Sequence, residues 1–200
     1  MARTSKAVWR TRILSARHHL ESDLRHVEER ALTAAAASLA PAGSTVCAYV
    51  PVGSEPGSTA FLDALVDTGL TVLVPVTREG SALSWARYLG ESSLVPATFG
   101  LREPTGEILP PEAVGEAHTV LVPALAVDLR GVRLGRGAGF YDRTLHLASP
   151  DARIVAVVRD DELVAELPED PHDIRMGWAL TPGKGLVRLG TENRAEQHTR

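Results

Sequence analysis

The run Thr119-Val-Leu-Val-Pro-Ala-Leu-Ala-Val-Asp128 is followed by Leu129-Arg-Gly-Val-Arg-Leu-Gly-Arg-Gly-Ala-Gly139 and then by Phe140-Tyr-Asp-Arg-Thr-Leu-His-Leu147. The first segment is almost continuously apolar, which is typical of a strand that is buried on both faces of a sheet. The second is a loop rich in glycine and arginine, and residues 137–147 predict a helix. A buried strand that leads through a loop into a helix favours an α/β fold.

The flanking sequence repeats this alternation of helix and strand. Residues 5–39 place apolar side chains at intervals of three and four, which predicts two helices with Ser22 as an internal N-cap. Residues 58–67 predict another helix, and residues 81–94 predict a hairpin or strand pair. Further buried strands are predicted at 45–50, 70–76 and 153–158. We therefore expect a three-layer α/β/α domain with a mostly parallel, Rossmann-like sheet.

The composition bounds the organisation of the chain. The 200 residues are 44% hydrophobic and 23% charged, which is typical of a globular protein with one core. We expect a single domain over residues 1–187. The polar segment that follows, 188–200, has no apolar periodicity and predicts a flexible tail.

Charge and cysteine content exclude several classes of protein. A formal net charge of -4 argues against a nucleic-acid partner, which normally selects a basic surface. Cys47 has no second cysteine to pair with, which predicts a reduced, cytoplasmic setting and no cysteine metal site. Apolar stretches such as 119–127 are much shorter than the roughly 18 residues that cross a bilayer, so no membrane association is expected.

The glycine-rich loop has the composition of a phosphate-binding site. Alternate glycines allow backbone N–H groups to approach a ligand, and a following helix start favours an anion. Arg133 and Arg136 supply positive charge, and Asp142 is placed to reach a magnesium ion that bridges phosphate oxygens. Each signal also has a purely structural explanation: the glycines can form a structural turn, and Asp142 can be a solvated or helix-capping carboxylate.

The segment Arg133-Leu-Gly-Arg-Gly-Ala-Gly-Phe-Tyr-Asp-Arg143 resembles the signature of the 5-formyltetrahydrofolate cyclo-ligase family, Arg-Leu-Gly-Arg-Gly-Lys/Gly-Gly-Tyr-Tyr-Asp. The resemblance extends in order from about residue 5 to 182. It includes Val-Pro-Ala-Leu-Ala-Val-Asp128, the pair His172-Asp173 after Leu167-Pro168, and the basic residues Lys6, Arg10 and Arg17.

The resemblance implies a set of site residues. It implies that ATP is bound by Lys6, Arg10, Arg133, Leu134, Gly135, Arg136, Gly137, Ala138, Gly139, Phe140 and Tyr141. It implies catalytic roles for Arg136 and Tyr141, magnesium ligands at Asp142 and Asp173, and a folate site that includes Val50, Glu55 and Tyr141.

Physical chemistry gives several of these assignments a reason. Two carboxylates brought together, as at Asp142 and Asp173, are costly without a cation. Glu55 can accept two hydrogen bonds from the N–H edge of an aminopyrimidine. Structural alternatives stay open: a solvated basic face for Lys6 and Arg10, a turn for Asp173, and an exposed loop carboxylate for Glu55.

The implied activity is the ATP- and Mg²⁺-dependent conversion of 5-formyltetrahydrofolate to 5,10-methenyltetrahydrofolate through a phosphorylated formyl (iminophosphate) intermediate. ATP and a reduced folate are then the partners, and both a monomer and a homodimer fit. Ala138 stands where many members have Lys, and Gly177 where members often have Asp. A member that acts on another N-formyl or thiamine-related substrate and a non-catalytic nucleotide-binding domain are the alternatives.

Overall fold

The computed structural model describes residues 5–171 and 173–190. The helices are α1 (Lys6–His18), α2 (Ser22–Ala35), α3 (Thr59–Asp67) and α4 (Phe140–Thr144). The strands are β1 (Thr45–Cys47), β2 (Thr71–Val76), β3 (Ser84–Arg87), β4 (Leu94–Pro96), β5 (Arg102–Pro104), β6 (Ile108–Leu109), β7 (Thr119–Pro123), β8 (Ala126–Asp128), β9 (Arg133–Leu134), β10 (Arg153–Val157), β11 (Leu163–Val164), β12 (Trp178–Thr181) and β13 (Gly185–Arg188). Short 3₁₀ segments lie at Ala36–Ser38, Glu91–Ser93, Thr98–Gly100, Pro111–Glu116, Leu145–Leu147 and Asp160–Glu162.

The main sheet is mostly parallel, as predicted. Within the described residues it has eight strands in the order β13-β12-β10-β7-β1-β2-β3-β6. The central strands β12, β10, β7, β1 and β2 run parallel, whereas β13 and β3 run antiparallel to their inner neighbours. The chain leaves β1 toward β2 on one side and later returns to β7 on the other. The loops after β1 and β7 therefore meet at a topological switch point, where ligands commonly bind in open α/β sheets.

Both faces of the sheet are covered. Val46 packs toward Leu32 of α2 and Leu62 of α3, whereas Cys47 packs toward Val114 and Leu145 on the opposite face. This alternation follows from the two-residue period of a strand. The predicted three-layer α/β/α arrangement is confirmed, with one outer layer built from α4 and the 3₁₀ segments at 111–116 and 145–147 rather than from long helices.

The predicted strand over residues 119–128 is wrong as one element. β7 ends at Pro123, and β8 belongs to a small separate sheet with the order β11-β8-β9. Between them, the Leu125 N–H donates to the Leu134 carbonyl oxygen at 2.8 Å, outside the main sheet. Ile13 of α1 packs on this small sheet, so the interruption creates a separate surface on which α1 docks.

Three other predicted elements differ. Residues 81–94 contain β3 but no hairpin, because β3 pairs with β2 and β6 instead. The helix predicted over 137–147 is divided into the five-residue α4 and a 3₁₀ turn. Ser22 is the first residue of α2 rather than its N-cap, which is Glu21.

The C-terminal region contains strands that the polar sequence did not indicate. β13 pairs with β12 from Gly185 to Arg188, and the N–H groups of Leu189 and Gly190 donate to the carbonyl oxygens of Gly177 and Leu129. The remainder of the predicted tail, 191–200, lies outside the described residues. No helix in the described ranges is long and apolar enough to span a bilayer.

Candidate active site

A cavity of about 480 Å³ lies beyond the carboxyl ends of the parallel strands. Its walls come from Tyr49–Glu55 after β1, from Pro123–Leu125 after β7, and from the segment 133–143 that contains the glycine-rich loop. Thr77, just after β2, and Glu103 of β5 form part of the remaining wall. The switch point of the sheet thus joins the predicted phosphate loop and the predicted folate loop in one cavity.

The glycine-rich loop is held by two arginines that donate to its carbonyl oxygens. Arg10 Nε lies 3.0 Å from the Gly135 oxygen, and Arg143 Nη2 lies 3.0 Å from the Ala138 oxygen. A Cβ atom on Gly137, which has φ +104°, would lie 3.7 Å from the Arg10 guanidinium. These two bonds fix the backbone of the loop and place two guanidinium groups beside it.

Arg133 and Asp142 form an ion pair at the cavity. Arg133 Nη2 donates to Asp142 Oδ1 at 2.6 Å, and the two side chains are 8% and 44% exposed. Among the described residues, Asp142 Oδ2 has no hydrogen-bond partner, and Arg133 Nε is buried without one. Asp142 therefore retains an oxygen for a cation, while Arg133 keeps its own charge beside the loop.

The Glu55 carboxylate joins the two sides of the cavity. Its Oε1 accepts a 3.0 Å hydrogen bond from Arg136 Nε, and its Oε2 accepts one of 3.1 Å from the Val52 N–H. The Glu55 side chain is only 9% exposed, whereas that of Arg136 is 49% exposed. Val50, which also lines the cavity, is buried.

The aromatic residues of the segment differ in their surroundings. The Tyr141 ring lies 5.9 Å from the Arg133 guanidinium carbon, and its hydroxyl is buried without a partner among the described residues. Burial raises the pKa of Tyr141, so its phenol stays protonated. The Phe140 ring lies 5.4 Å from the Arg143 guanidinium carbon. Leu134 packs in the core with Ile13, so its side chain does not line the cavity.

Lys6, the first residue of α1, lies next to Asp173. Lys6 Nζ is 2.7 Å from Asp173 Oδ2 and 2.7 Å from Asp170 Oδ2. Partial burial lowers the pKa of Lys6, but the hydrogen bonds and charges of the two carboxylates outweigh this effect, and the net shift is upward. Lys6 and Arg10 are neighbours on successive turns, as their spacing predicts. His172 lies outside the described residues.

The structure pairs Asp142 and Asp173 with different cations, Arg133 and Lys6. Asp142 lines the cavity and Asp173 does not. In the ranges 5–171 and 173–190, no group of three or more His, Cys, Asp and Glu side chains is arranged to hold a metal ion. Of the two carboxylates predicted as magnesium ligands, Asp142 is therefore the one that lies at the cavity.

Several polar groups at the cavity were not assigned from the sequence. Arg17, 2% exposed, forms a two-pronged pair with Glu162 at 2.6 and 2.7 Å and donates to the Ala124 oxygen. The Thr77 N–H and hydroxyl both donate to Glu103 Oε1, at 2.7 and 2.6 Å. Arg17 could have been noticed in the sequence as an arginine on the apolar face of α1. Its partner, Glu162, could not, because it lies 145 residues away in the chain.

Comparisons with known proteins give a consistent result. The model of the 5-formyltetrahydrofolate cyclo-ligase family matches residues 2–182. A 5-formyltetrahydrofolate cyclo-ligase from Mycolicibacterium smegmatis is 52% identical over 194 residues, which cover 94% of this chain and 100% of that protein. The NMR structure of Aquifex aeolicus 5,10-methenyltetrahydrofolate synthetase superposes with a TM-score of 0.72 at 27% identity, covering 98% of this chain and 99% of that one. The structure of a Mycoplasma pneumoniae 5,10-methenyltetrahydrofolate synthetase shares the fold, with a TM-score of 0.70 at 16% identity over 88% of this chain and 98% of that one.

Proposed function

The chain belongs to the 5-formyltetrahydrofolate cyclo-ligase family, and on that premise we propose that it converts 5-formyltetrahydrofolate to 5,10-methenyltetrahydrofolate with ATP as co-substrate. The observation that carries the proposal is the Glu55–Arg136 contact within one cavity. A carboxylate suited to an aminopyrimidine edge and a cationic loop suited to phosphate lie side by side, as a phosphoryl transfer between two substrates requires.

The arginines and the loop backbone bind the triphosphate. Arg136 is half exposed at the cavity, and Arg133 is nearly buried beside Tyr141. Together with Arg10 and the loop N–H groups, they neutralise charge as the terminal phosphoryl group moves. Ala138 adds no charge, so these arginines and Lys6 take the place of the lysine found in many family members.

Asp142 is the residue that fits a magnesium ion best, because it lines the cavity and has an unpaired oxygen. The ion would supply charge neutralisation across phosphate oxygens. Asp173 lies outside the cavity and its Oδ2 is bonded to Lys6, so it is the less direct of the two proposed ligands.

The reaction needs no side-chain nucleophile. The formyl oxygen attacks the terminal phosphorus of ATP, the bond to ADP breaks, and an iminophosphate forms. N10 of the folate then attacks the formyl carbon, the carbon–oxygen bond breaks with release of phosphate, and the N10 proton is lost. Burial raises the pKa of the Cys47 thiol, which agrees with a mechanism that uses no thiolate.

Glu55 and Tyr141 act on the folate side. Glu55 accepts hydrogen bonds from the aminopyrimidine N–H groups, and Val50 provides apolar contact. Tyr141 lines the cavity, and its ring packs against the substrate. A free buried thiol at Cys47 agrees with the cytoplasm as the location of the enzyme.

The test is the absorbance of the methenyl product after the purified protein is mixed with 5-formyltetrahydrofolate, ATP and Mg²⁺. Product that depends on ATP, with stoichiometric ADP and phosphate, is the expected result. An Asp151→Ala variant, which alters an exposed turn, is expected to match the parent protein. A folded protein that binds ATP but forms no product would refute the folate assignment and favour a different N-formyl substrate.

A further inference from the structure

The two carbonyl groups on either side of Glu55 are both held by buried side chains. The Ser54 oxygen accepts a 3.0 Å hydrogen bond from Arg159 Nη1. The Pro56 oxygen accepts a 2.6 Å hydrogen bond from the Tyr49 hydroxyl. The backbone at Glu55 is thus fixed from two independent directions, one of them 105 residues away in the chain.

Arg159 is itself rigidly held. It is 4% exposed, its Nε donates to Glu28 Oε2 of α2 at 2.8 Å, and its backbone N–H donates to Glu162 Oε2 at 2.8 Å. Glu162 is in turn fixed by the two-pronged bond from Arg17. Because the Nε of its planar guanidinium is anchored by Glu28, Arg159 can fix the position of the Ser54 carbonyl with Nη1.

The local turn cannot orient Glu55 on its own. Glu55 and Val52 exchange two hydrogen bonds, one from each backbone N–H, but both belong to the same loop and move with it. Among the described residues, the bonds from Arg159 and Tyr49 are the ones that tie the segment Ser54–Pro56 to the body of the domain through its carbonyls. Glu55 is bonded to Arg136 at the cavity. A rotation of the segment Ser54–Pro56 would therefore move the Glu55 carboxylate away from the position proposed for the substrate.

We propose that Arg159 is a positioning residue for Glu55, and so for recognition of the aminopyrimidine ring. This role rests on the proposed function, in which Glu55 binds the folate. A change at Arg159 should therefore affect binding of the folate and not binding of ATP. Arg159 does not line the cavity, so it acts through the loop and not by contact with the substrate.

The kinetic test compares Arg159→Met and Arg159→Lys with the parent protein. Loss of one hydrogen bond from a charged donor corresponds to a rise of about ten-fold in the KM for 5-formyltetrahydrofolate. The KM for ATP is expected to stay within about two-fold, since the glycine-rich loop has no bond to Arg159. Lysine can reach one acceptor but not both, so Arg159→Lys is expected to lie between the parent and Arg159→Met.

Two further variants separate positioning from general stability. Glu28→Gln keeps the Ser54 bond and keeps a side-chain oxygen that can accept from Arg159 Nε, so the anchor of Arg159 is preserved. It is expected to leave the KM for the folate unchanged. Tyr49→Phe removes the other carbonyl contact and is expected to raise the same KM.

Hydrogen exchange supplies a readout that does not depend on turnover. Amides of residues 50–58 are expected to exchange faster in Arg159→Lys and Arg159→Met than in Glu28→Gln. Equal rises in the KM for both substrates, or unchanged exchange and KM in folded Arg159→Lys, would overturn the proposal. If the parent protein forms no methenyl product, the proposed function fails, while the exchange comparison still tests whether Arg159 orders the loop.

Discussion

Arg136 Nε and Glu55 Oε1 lie 3.0 Å apart, so the group assigned to ATP phosphate and the group assigned to the folate ring are paired with each other. In the proposed function, a phosphate that takes over Arg136 would free the Glu55 carboxylate for the aminopyrimidine, so the two binding events would be coupled. By linkage, ATP would then raise the affinity for the folate by the same factor as the folate raises the affinity for ATP.

Glu55→Gln tests this coupling. The neutral amide weakens the pair, so ATP is expected to bind equally well or up to about five-fold tighter, because partly exposed ion pairs contribute up to about 1 kcal/mol. The folate is expected to bind at least about ten-fold more weakly, since charge-assisted hydrogen bonds are lost. Titration calorimetry with a non-hydrolysable ATP analogue, alone and with folate, measures both affinities. Weaker ATP binding in Glu55→Gln would contradict the coupling.

Asp142→Asn is expected to raise the Mg²⁺ concentration for half-maximal rate by at least about ten-fold, because one anionic oxygen ligand is lost. The measurement is the rate at fixed ATP over a series of Mg²⁺ concentrations. Asp173→Asn is expected to raise this concentration by a smaller factor, because Asp173 lies outside the cavity. An unchanged Mg²⁺ dependence in Asp142→Asn would remove this residue from the metal site.

Arg17→Met is expected to destabilise the protein by about 3–5 kcal/mol, because it leaves the buried Glu162 carboxylate without its main partner. Urea unfolding measures the loss. The double variant Arg17→Met/Glu162→Met is expected to lose less than the sum of the two single changes. Strictly additive losses would show that the pair has no coupling energy.

Lys6 is expected to contribute stability over most of the pH range. Its pKa in the folded protein is raised above the ordinary value of 10.5. A raised folded pKa means that the contribution is fully present below pH 10.5 and is lost as the pH rises through the higher value. The difference in free energy of unfolding between the parent and Lys6→Met, followed from pH 7 to pH 11, is therefore expected to fall only at the alkaline end. If the parent and Lys6→Met had the same free energy of unfolding near neutral pH, the stabilising role of Lys6 would be contradicted.

Two strands of the parallel core, β2 and β10, were predicted closely because they are short, mostly apolar runs. Residues 70–76 and 153–158 match β2 and β10 to within one residue at each end, since burial on both faces requires apolar side chains throughout. β12 and β13 were not predicted, because four-residue strands at 178–181 and 185–188 carry too few residues to show a period. Their stability comes from pairing with β10 and with each other.

The family, the layered α/β architecture and the glycine-rich loop follow from the amino-acid sequence, because apolar periodicity and local residue order are properties of contiguous chain. The folded structure was needed to show that Glu55 pairs with Arg136, that Asp142 and Asp173 have separate cationic partners, and that Arg159 holds the Ser54 carbonyl. These contacts join side chains that are distant in sequence across the switch point of the sheet. Their partners are selected by how the β1 and β7 loops and α1 converge, which no local pattern encodes.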